Sequence, residues 1–388
     1  MSDAQRTFLM LNPGSGTLKY ALFRVDGDVE TPLTEGVVDR KGEAGHRASP
    51  VEAVRTLIEE IAERFGVTRP DAVVCRVVMG GSEFREPARV NSETIEAIRR
   101  LEPLAPLHNP ASRETLEACQ NLLPESALFA VFDTTFHATL PPVAYTYALP
   151  YELCARHGLR RYGFHGIAHR WVSLRLREHL IGSGRPSGRS ITAHFGGGAS
   201  MCAIREGISI DTSMGLTPLE GLVMATRSGD VDPGLLMYLQ KAEGLSPEDM
   251  ETLLNRQSGL LGISGISDDV RDLEPAAQQG SDRATLAMEV YGYRAAKTIG
   301  AYAVALEGVD GIAFSGGLGE NNPAMRERIC RPLRFLGVEL DPERNARGLA
   351  GSEAVCISTE SSAVAVWIIH ADENRQMVRD VLPLLAKA

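Results

Sequence analysis

Short apolar runs on either side of Gly-rich turns occur at two places along the chain. Residues 8–11 and 18–25 flank the turn NPGSG, a pattern that predicts a β-hairpin. The same pattern returns at residues 190–204, where SITAHF, GGGAS and MCAI follow one another. Each copy begins a half of the chain that contains both helical and strand patterns. The repeat therefore predicts an internally duplicated α/β protein, with two lobes facing each other across a cleft.

Apolar residues recur at helical spacing in eight segments, and strand-like apolar runs lie between them. The predicted helices span residues 50–65, 92–101, 111–122, 169–179, 233–243, 247–257, 284–306 and 323–335. The predicted strands span residues 72–79, 128–132, 311–314 and 364–369. These strands are mostly continuous apolar stretches, which is typical of sheets buried on both faces. Several end in polar or Gly-rich segments, where α/β proteins place their chemistry.

Composition narrows the class of protein. The chain has 388 residues, of which 44% are hydrophobic and 23% charged, values ordinary for a globular protein of about two domains. A net charge of -10 disfavours a general affinity for nucleic acid or an anionic membrane. The six scattered cysteines lack zinc-type spacing and are interpreted as reduced. Because the sequence shows no signal-peptide pattern and no membrane-spanning apolar run, we expect a cytoplasmic protein.

The chain lacks both a P-loop and a dinucleotide-binding glycine fingerprint, so any phosphate must be held in another way. The first turn carries Asn12, Ser15, Thr17 and Lys19, whose amide, hydroxyl and ammonium groups suit phosphate oxygens and a hydrated cation. A plain hairpin turn with a surface lysine explains the same residues. This segment alone leaves both interpretations open.

Two arginines lie beside Gly-rich or turn-forming segments, and a guanidinium is the natural partner of a carboxylate or a phosphate. Arg76 interrupts an apolar strand, where it must be paired, either with a ligand or with a structural aspartate. Arg227 is flanked by Asp230 and Asp232, so a salt bridge within the loop is its alternative. Both arginines are candidates for anion binding.

Asp133 directly follows a predicted strand, and His165 lies in the segment RRYGFHG. Each suits a cleft, although such residues also serve as caps or as hydrogen-bonded core groups. His165 and His169 have helical i, i+4 spacing, but HGIAH lacks the glutamate of a zinc protease motif, which excludes that class. The segments HFGGGAS and FSGGLGENN allow a nucleotide to approach the backbone closely.

Eight motifs resemble, in their order along nearly the whole chain, those of the acetate kinase family: LNPGSGTLKY, LAPLHNP, VFDTTFH, RRYGFHG, HFGGGAS, DTSMGLTPLEGLVMATRSGDVDP, GISGISDDVR and FSGGLGEN. The resemblance implies two duplicated lobes of the actin and sugar kinase superfamily fold, which is ribonuclease H-like, with a nucleotide cleft between them. Residues 1–137 with 371–388 would form the first lobe, and residues 138–370 the second, with the adenosine site and a homodimer surface.

The resemblance also implies a role for each matching residue. The catalytic residues would be Arg76, Asp133, His165 and Arg227. The metal, Mg²⁺ or Mn²⁺, would be held by Asn12 and Glu373. The acid would be bound by Arg76, Val78, Leu107, His108, Phe164 and Pro218. ATP or ADP would be bound by Ser15, Thr17, Lys19, His194, Phe195, Gly196, Gly197, Gly198, Asp269, Val270, Arg271, Gly317, Leu318, Gly319, Glu320 and Asn321.

The implied reaction is a direct in-line phosphoryl transfer between ATP and acetate. A carboxylate with a pKa of roughly 4 to 5 is deprotonated at neutral pH, so the reaction needs charge neutralisation but no general base. The chain departs from the family pattern at Cys75, Met79, Ile167, Ala168, Gly197 and Asn374. Propionate or butyrate as the acid, pyrophosphate as the donor, and a non-catalytic nucleotide-binding module remain alternatives.

Overall fold

The computed structural model describes residues 5–14, 16–27, 29–40, 48–106 and 108–385. The chain divides into two compact units, Met1–Ala138 with Asp372–Ala388, and Thr139–Ala371. The described strands are β1 Arg6–Pro13, β2 Thr17–Asp26, β3 Val29–Asp39, β4 Ala72–Val77, β5 Ala88–Arg89, β6 Ala127–Phe132, β7 Arg189–Phe195, β8 Ala199–Arg205, β9 Ile208–Thr212, β10 Gly311–Ser315, β11 Ala354–Cys356 and β12 Ala365–Ile369.

The described α-helices flank these strands in both units. They are α1 Pro50–Phe65, α2 Ser92–Arg100, α3 Asn109–Leu122, α4 Pro142–Tyr145, α5 Tyr151–His157, α6 Gly166–Gly182, α7 Pro233–Glu243, α8 Pro247–Arg256, α9 Gly259–Ser264, α10 Val270–Gln278, α11 Asp282–Leu306, α12 Gly316–Asn321, α13 Pro323–Cys330, α14 Pro342–Arg347 and α15 Glu373–Leu385. Among the described helices, none is long and apolar enough to cross a membrane.

Each unit contains a six-stranded sheet, and the two sheets share one topology. The strand order is β3-β2-β1-β4-β6-β5 in the first sheet and β9-β8-β7-β10-β12-β11 in the second. Across each sheet, three antiparallel strands lie on one side, β3-β2-β1 in the first sheet and β9-β8-β7 in the second. Two strands parallel to the last of these follow, and a short antiparallel strand forms the far edge. The duplication predicted from the two hairpins is therefore confirmed.

The first unit is held together by helices packed on its sheet. Leu57 on α1 and Leu116 on α3 are fully buried in one cluster with Leu9 on β1 and Val73 on β4. Burial of each such side chain contributes roughly 1.5 to 3 kcal/mol. Ser49 fixes the start of α1, because its hydroxyl accepts a hydrogen bond from the backbone N–H of Glu52 in a reciprocal capping box. This core supports the strand ends that carry the candidate residues.

The second unit buries both faces of its sheet. On one side α6 contributes Trp171 and Leu176, which pack with Ala313 of β10 and Ala365 of β12. On the other side lies the long helix α11, whose buried face includes Tyr291 and Ile299. The continuous apolar pattern of the central strands matches this two-sided burial.

Most predicted elements are confirmed within a few residues, and α1 and α7 have the predicted bounds. Two helices differ. The helix predicted to begin at residue 169 begins at Gly166, and the one predicted for 323–335 ends at Cys330 and continues as a 3₁₀ turn, Arg331–Leu336. Pro332 explains the second difference, since proline cannot donate the backbone hydrogen bond that would continue the α-helix.

Candidate active site

The first predicted phosphate loop lies at the turn between β1 and β2. Asn12 and Lys19 are directly paired across this hairpin, so their side chains leave the same face of the sheet. The backbone N–H of Gly14 donates to the carbonyl oxygen of Thr17 at 2.8 Å and closes the turn. Ser15 lies outside the described residues. The hairpin therefore presents an amide and an exposed ammonium together at one strand end.

Arg76, on β4, is enclosed by two carboxylates. Its Nε and Nη2 donate to Oδ1 and Oδ2 of Asp133 at 2.8 and 2.7 Å, and its Nη1 donates to Oε2 of Glu373 at 3.0 Å. Asp133 follows β6 directly and is only 2% exposed, whereas the Glu373 side chain is 22% exposed at the first turn of α15. The pairing with a structural aspartate that the sequence left open is present.

The pKa of Arg76 depends on both its burial and its two carboxylate partners. Burial alone would lower the pKa of the Arg76 guanidinium, but the nearby carboxylates of Asp133 and Glu373 outweigh burial and raise this pKa above its usual value. Two carboxylates therefore share the single guanidinium of Arg76.

Arg227 is in the opposite situation. Its half-buried guanidinium donates through Nη1 to the carbonyl oxygen of Pro218 at 3.3 Å and lies 3.7 Å from the sulfur of Met224. Asp230 accepts from the backbone N–H of Gly221, and Asp232 caps α7. In the part of the chain that the structure describes, no carboxylate pairs with Arg227, and burial lowers its pKa. The expected alternative of a salt bridge within the loop is not formed.

His165 and Arg227 meet at the Gly-rich loop between β7 and β8. A Cβ atom added at Gly198 would lie 3.3 Å from Cε1 of His165 and 3.5 Å from Nη1 of Arg227. The backbone N–H of Ala225 donates to the carbonyl oxygen of Gly197 at 3.3 Å, which ties the arginine's segment to this loop. An imidazole and an unneutralised guanidinium thus face the same few backbone atoms.

His165 has a strained backbone conformation, and its imidazole ring contacts the hydroxyl group of Ser200. Its φ of +55° lies in the left-handed region, which costs a non-glycine residue about 1 to 2 kcal/mol. Its Nδ1 lies 2.9 Å from Oγ of Ser200, and the same hydroxyl lies 2.7 Å from Nε2 of His169. Because Nδ1 of His169 bonds to Thr192, both of its ring nitrogens contact hydroxyls. Strain of this kind is concentrated at functional sites.

A pocket of about 460 Å³ opens in the second unit beside this loop. Its walls include eight of the predicted nucleotide residues: Gly196, Gly197, Asp269, Val270, Arg271, Gly317, Leu318 and Asn321. The volume lies in the range of small-ligand sites. The structure therefore brings together three segments that are far apart in sequence.

The other predicted nucleotide residues of this unit surround the pocket without lining it. Nδ1 of His194 lies 3.1 Å from Oγ of Ser315, and the buried ring of Phe195 packs edge-on against Tyr291. Gly319 lies buried within α12. The Glu320 carboxylate accepts from the backbone N–H of Gly316 and contacts His370. These residues position the backbone of the pocket.

The predicted residues for the acid are distributed over both units. Val78 and His108 are half-buried in the first unit, and Leu107 lies outside the described residues. In the second unit Phe164 is buried and Pro218 contacts Arg227 through its carbonyl oxygen. The contact between Pro218 and Arg227 joins an expected substrate residue to an expected catalytic one.

The oxygen atoms of Asn12 and Glu373 suit a hard cation. Within the described residues, no three His, Cys, Asp or Glu side chains are grouped so that they could hold a metal. Mg²⁺ is commonly held by only one or two protein oxygens together with substrate phosphates and water. The Asn12 amide, one residue beyond the Leu11–Cys75 strand pair, and the Glu373 carboxylate that contacts Arg76 supply oxygens of that kind.

A family model described as Acetokinase family matches residues 7–379. The chain belongs to the acetokinase family. An acetate kinase of Thermotoga petrophila is 43% identical over 401 residues, covering 98% of each chain, and one of Clostridium botulinum is 42% identical, covering 98% of this chain and 99% of its own.

Solved structures of acetokinase relatives share the fold. Acetate kinase of Porphyromonas gingivalis has a TM-score of 0.89 at 38% identity, covering 98% of this chain and 100% of its own. A propionate kinase of Francisella tularensis has a TM-score of 0.88 at 35% identity, covering 97% and 98%. The predicted duplicated α/β fold is confirmed by these structures and by the two matching sheets.

Most positions at which the sequence is expected to depart from the family pattern lie in the interior of the protein. Cys75 and Met79 are fully buried, and burial raises the pKa of the Cys75 thiol. Ile167 and Ala168 are buried in the first turn of α6. Gly197 alone is exposed at the pocket, with open space where a side chain would begin. Only this last departure changes what a ligand in the pocket would touch.

Sequence reasoning missed several residues of the site. The hydroxyl of Ser200 links two histidines, and the remaining pocket walls are Ala225, Leu260, Asp268, Tyr291 and Asn322. Asp268 and Asn322 directly adjoin predicted residues, so extending each motif by one position would have included them. Tyr291 lies within a helix predicted on its apolar pattern alone, and nothing in that pattern points to a pocket.

Proposed function

We propose that this protein catalyses the reversible transfer of a phosphoryl group between ATP and acetate, giving ADP and acetyl phosphate. The observation that carries the proposal is Arg227, a half-buried guanidinium beside His165 with no carboxylate partner among the described residues. A buried cation left unpaired is costly unless an anionic ligand completes the site. A phosphoryl group is such a ligand.

The nucleotide occupies the pocket in the second unit. Its adenosine would lie among Gly317, Leu318, Val270 and Asn321, and its phosphates would extend towards Gly196 and Gly197. Glycine allows such approach because no side chain intervenes. Thr17 and Lys19, on the hairpin of the first unit, are further proposed phosphate ligands.

The transfer itself needs charge neutralisation. An oxygen of acetate attacks the γ-phosphorus, a new O–P bond forms, and the bond from that phosphorus to the bridging oxygen breaks, so that ADP leaves with the electron pair. No proton is transferred at neutral pH, since the acid is already ionised. Arg227 and His165 stabilise the charge on the phosphoryl oxygens in the transition state.

Arg76 orients the acid, and Asp133 holds Arg76 in a fixed plane through its two hydrogen bonds. Asn12 and Glu373 would hold Mg²⁺, which neutralises phosphate charge when bound. Val78, Phe164 and Pro218 would enclose the methyl group of acetate. We also infer a homodimer from the family resemblance; a sedimentation mass near that of one 41.9 kDa chain would contradict it.

Propionate is the second candidate substrate, because a relative with the same fold is a propionate kinase. Acetate is favoured because the relatives of 43% and 42% identity are acetate kinases. One methylene group in an apolar pocket changes discrimination by about 1 to 3 kcal/mol, or about 10- to 200-fold. The choice between the two acids therefore depends on the fit of a single carbon atom.

The test is phosphorylation of acetate, propionate and butyrate with ATP and Mg²⁺, with the acyl phosphate trapped as a hydroxamate. We expect acetate to have the highest kcat/KM, about 10-fold or more above propionate, and EDTA to abolish turnover. Preference for propionate would correct the substrate. Turnover with pyrophosphate but not with ATP would show that pyrophosphate is the phosphoryl donor. No turnover with any acid and either donor would indicate a nucleotide-binding module without kinase activity.

A further inference from the structure

The two carboxylates that enclose Arg76 differ in how firmly they are held. Asp133 is buried, makes two hydrogen bonds to the guanidinium, and has its backbone N–H bonded to the carbonyl oxygen of Val77 at 3.0 Å. Among the described residues, Glu373 makes one hydrogen bond, to Nη1 at 3.0 Å, and its side chain is 22% exposed at the start of α15. Glu373 is therefore the partner that can leave.

This arrangement places the carboxylate of Glu373 where the acid is expected. If Arg76 orients the carboxylate of acetate, its two hydrogen bonds to Asp133 leave the N–H groups of Nη1 and the second N–H of Nη2 for the substrate, and Glu373 already accepts from Nη1. Two carboxylates that share one guanidinium nitrogen repel each other, and partial burial limits the screening of that repulsion by solvent. The acid and Glu373 therefore compete for Arg76.

We propose that Glu373 is an exchangeable partner of Arg76. Glu373 occupies the position of the acid on Arg76 until its carboxylate turns to bind a divalent cation. The inference rests on the proposed function, in which Glu373 and Asn12 hold Mg²⁺ and Arg76 holds the acid. When Glu373 serves the cation, Nη1 of Arg76 becomes available to the substrate carboxylate. Binding of the metal–nucleotide complex then favours binding of acetate, and by linkage acetate favours the metal to the same degree.

The alternative is that the salt bridge between Glu373 and Arg76 is purely structural and stabilises the packing of α15 against β4. In that case removal of its charge lowers the stability of the first unit and leaves the affinity for acetate unchanged. The two explanations predict opposite results for one quantity, the affinity of the metal-depleted protein for acetate. An exchangeable competitor must weaken that affinity, so its removal must strengthen it.

The experiment measures the Kd of acetate by NMR titration for the wild-type chain and for Glu373→Gln, first in EDTA and then with Mg²⁺ and ADP. In EDTA we expect Glu373→Gln to bind acetate more tightly than the wild type, by a factor between about 5 and 150, the usual range of coupling between two sites. Adding Mg²⁺ and ADP should tighten acetate binding to the wild type by a similar factor and change the variant little.

Glu30→Gln is the matched control. Glu30 pairs with Arg379 at 2.6 Å and fastens the same helix α15, but it does not touch Arg76. We expect this variant to match the wild type in acetate affinity under both conditions, and a thermal unfolding scan reports any loss of folding in either variant. Glu373→Ala, which also removes the competing oxygen, should bind acetate in EDTA at least as tightly as Glu373→Gln.

Acetate binding in EDTA that is no tighter in Glu373→Gln than in the wild type would overturn the inference. So would a wild-type affinity for acetate that Mg²⁺ and ADP leave unchanged. Either result combined with wild-type acyl phosphate formation refutes only the exchange and leaves the proposed function standing. Absence of acyl phosphate formation by the wild type refutes the proposed function and the exchange with it.

Discussion

Arg227 lies half-buried against Met224 and the carbonyl oxygen of Pro218, whereas Arg76 is enclosed by the carboxylates of Asp133 and Glu373. The same residue type is thus neutralised in one unit and left for a ligand in the other. At the scale of single residues, this difference supports the proposal that Arg227 stabilises transition-state charge and that Arg76 orients the substrate.

Arg227→Ala should lower kcat by about 10² or more, because the guanidinium acts mainly on the phosphoryl oxygens of the transition state. Arg227→Lys should restore only part of the rate, since an ammonium cannot reproduce the planar fork. The measurement is steady-state kinetics of acyl phosphate formation. Thermal unfolding of the variant should show no loss of stability, because burial already disfavours the charged arginine in the protein without ligand.

Arg256→Ala is the control for this prediction, since Arg256 is an exposed residue in the last turn of α8. Its kcat should stay within about twofold of the wild type, as expected for a surface change. A rate for Arg227→Ala equal to that of the control would remove Arg227 from the transfer step.

At this scale, the sequence predicted features that are encoded locally but not contacts between residues far apart along the chain. Arg76 had to be paired, and an aspartate was a foreseeable partner, because a charge in an apolar strand is costly. Glu373 is 297 residues away from Arg76, and no local pattern joins the two. The hydroxyl of Ser200 between two histidines was likewise invisible, since serine in a Gly-rich turn is ordinary turn chemistry.

At the scale of elements, the Gly-rich loop between β7 and β8 is what places the site. It meets α12 closely, because a Cβ atom at Gly316 would lie 2.6 Å from the carbonyl oxygen of Phe195, and the φ of Gly316 is +75°. Only glycine suits that position. The next residues of the loop, Gly197 and Gly198, have no such constraint on φ, so their lack of side chains leaves room for a ligand.

Gly197→Asn tests the loop as a phosphate-binding element. The added side chain would begin in open space at the pocket, and φ at this position is outside the left-handed region. We expect ADP to bind roughly 2- to 10-fold more tightly, the effect of one net hydrogen bond, with an unchanged Tm. Calorimetric titration with ADP and Mg²⁺ measures the change.

Gly182→Asn provides the comparison, because Gly182 is exposed at the end of α6 and also has open space around its Cβ position. It should leave the affinity for ADP unchanged. Equal affinity of Gly197→Asn and Gly182→Asn for ADP would place the phosphates away from this loop.

Elements with local signals were predictable, and those without them were not. Ser49 and Ser246 cap α1 and α8, and each stands before a proline at the first helical position, which is a strong start signal. Strand β3 was missed because it is an edge strand with Pro32 within it and exposed polar positions. Helix α15 was missed because Pro383 interrupts its apolar periodicity near the end.

At the scale of the whole molecule, the two matching sheets explain why one chain carries two sets of strand-end residues. The first set is Asn12, Lys19, Arg76 and Asp133, and the second is the Gly-rich loop after β7, with His165 and Arg227 beside it and the pocket that it lines. Two hairpin signals were enough to predict the duplication, because a hairpin is encoded locally. The parallel strands beside each hairpin are joined through long crossovers, so their pairing depends on the fold as a whole.

The most direct test of the proposed phosphoryl transfer is to follow an oxygen atom of acetate into the product. The wild-type chain is incubated with ATP, Mg²⁺ and acetate labelled with ¹⁸O, and the products are examined by ³¹P NMR. Direct attack of acetate on the γ-phosphorus predicts acetyl phosphate whose phosphorus resonance carries the isotope shift of one bonded ¹⁸O, while ADP carries none. Inorganic phosphate as the only new species, or ¹⁸O in ADP, would contradict the proposed transfer.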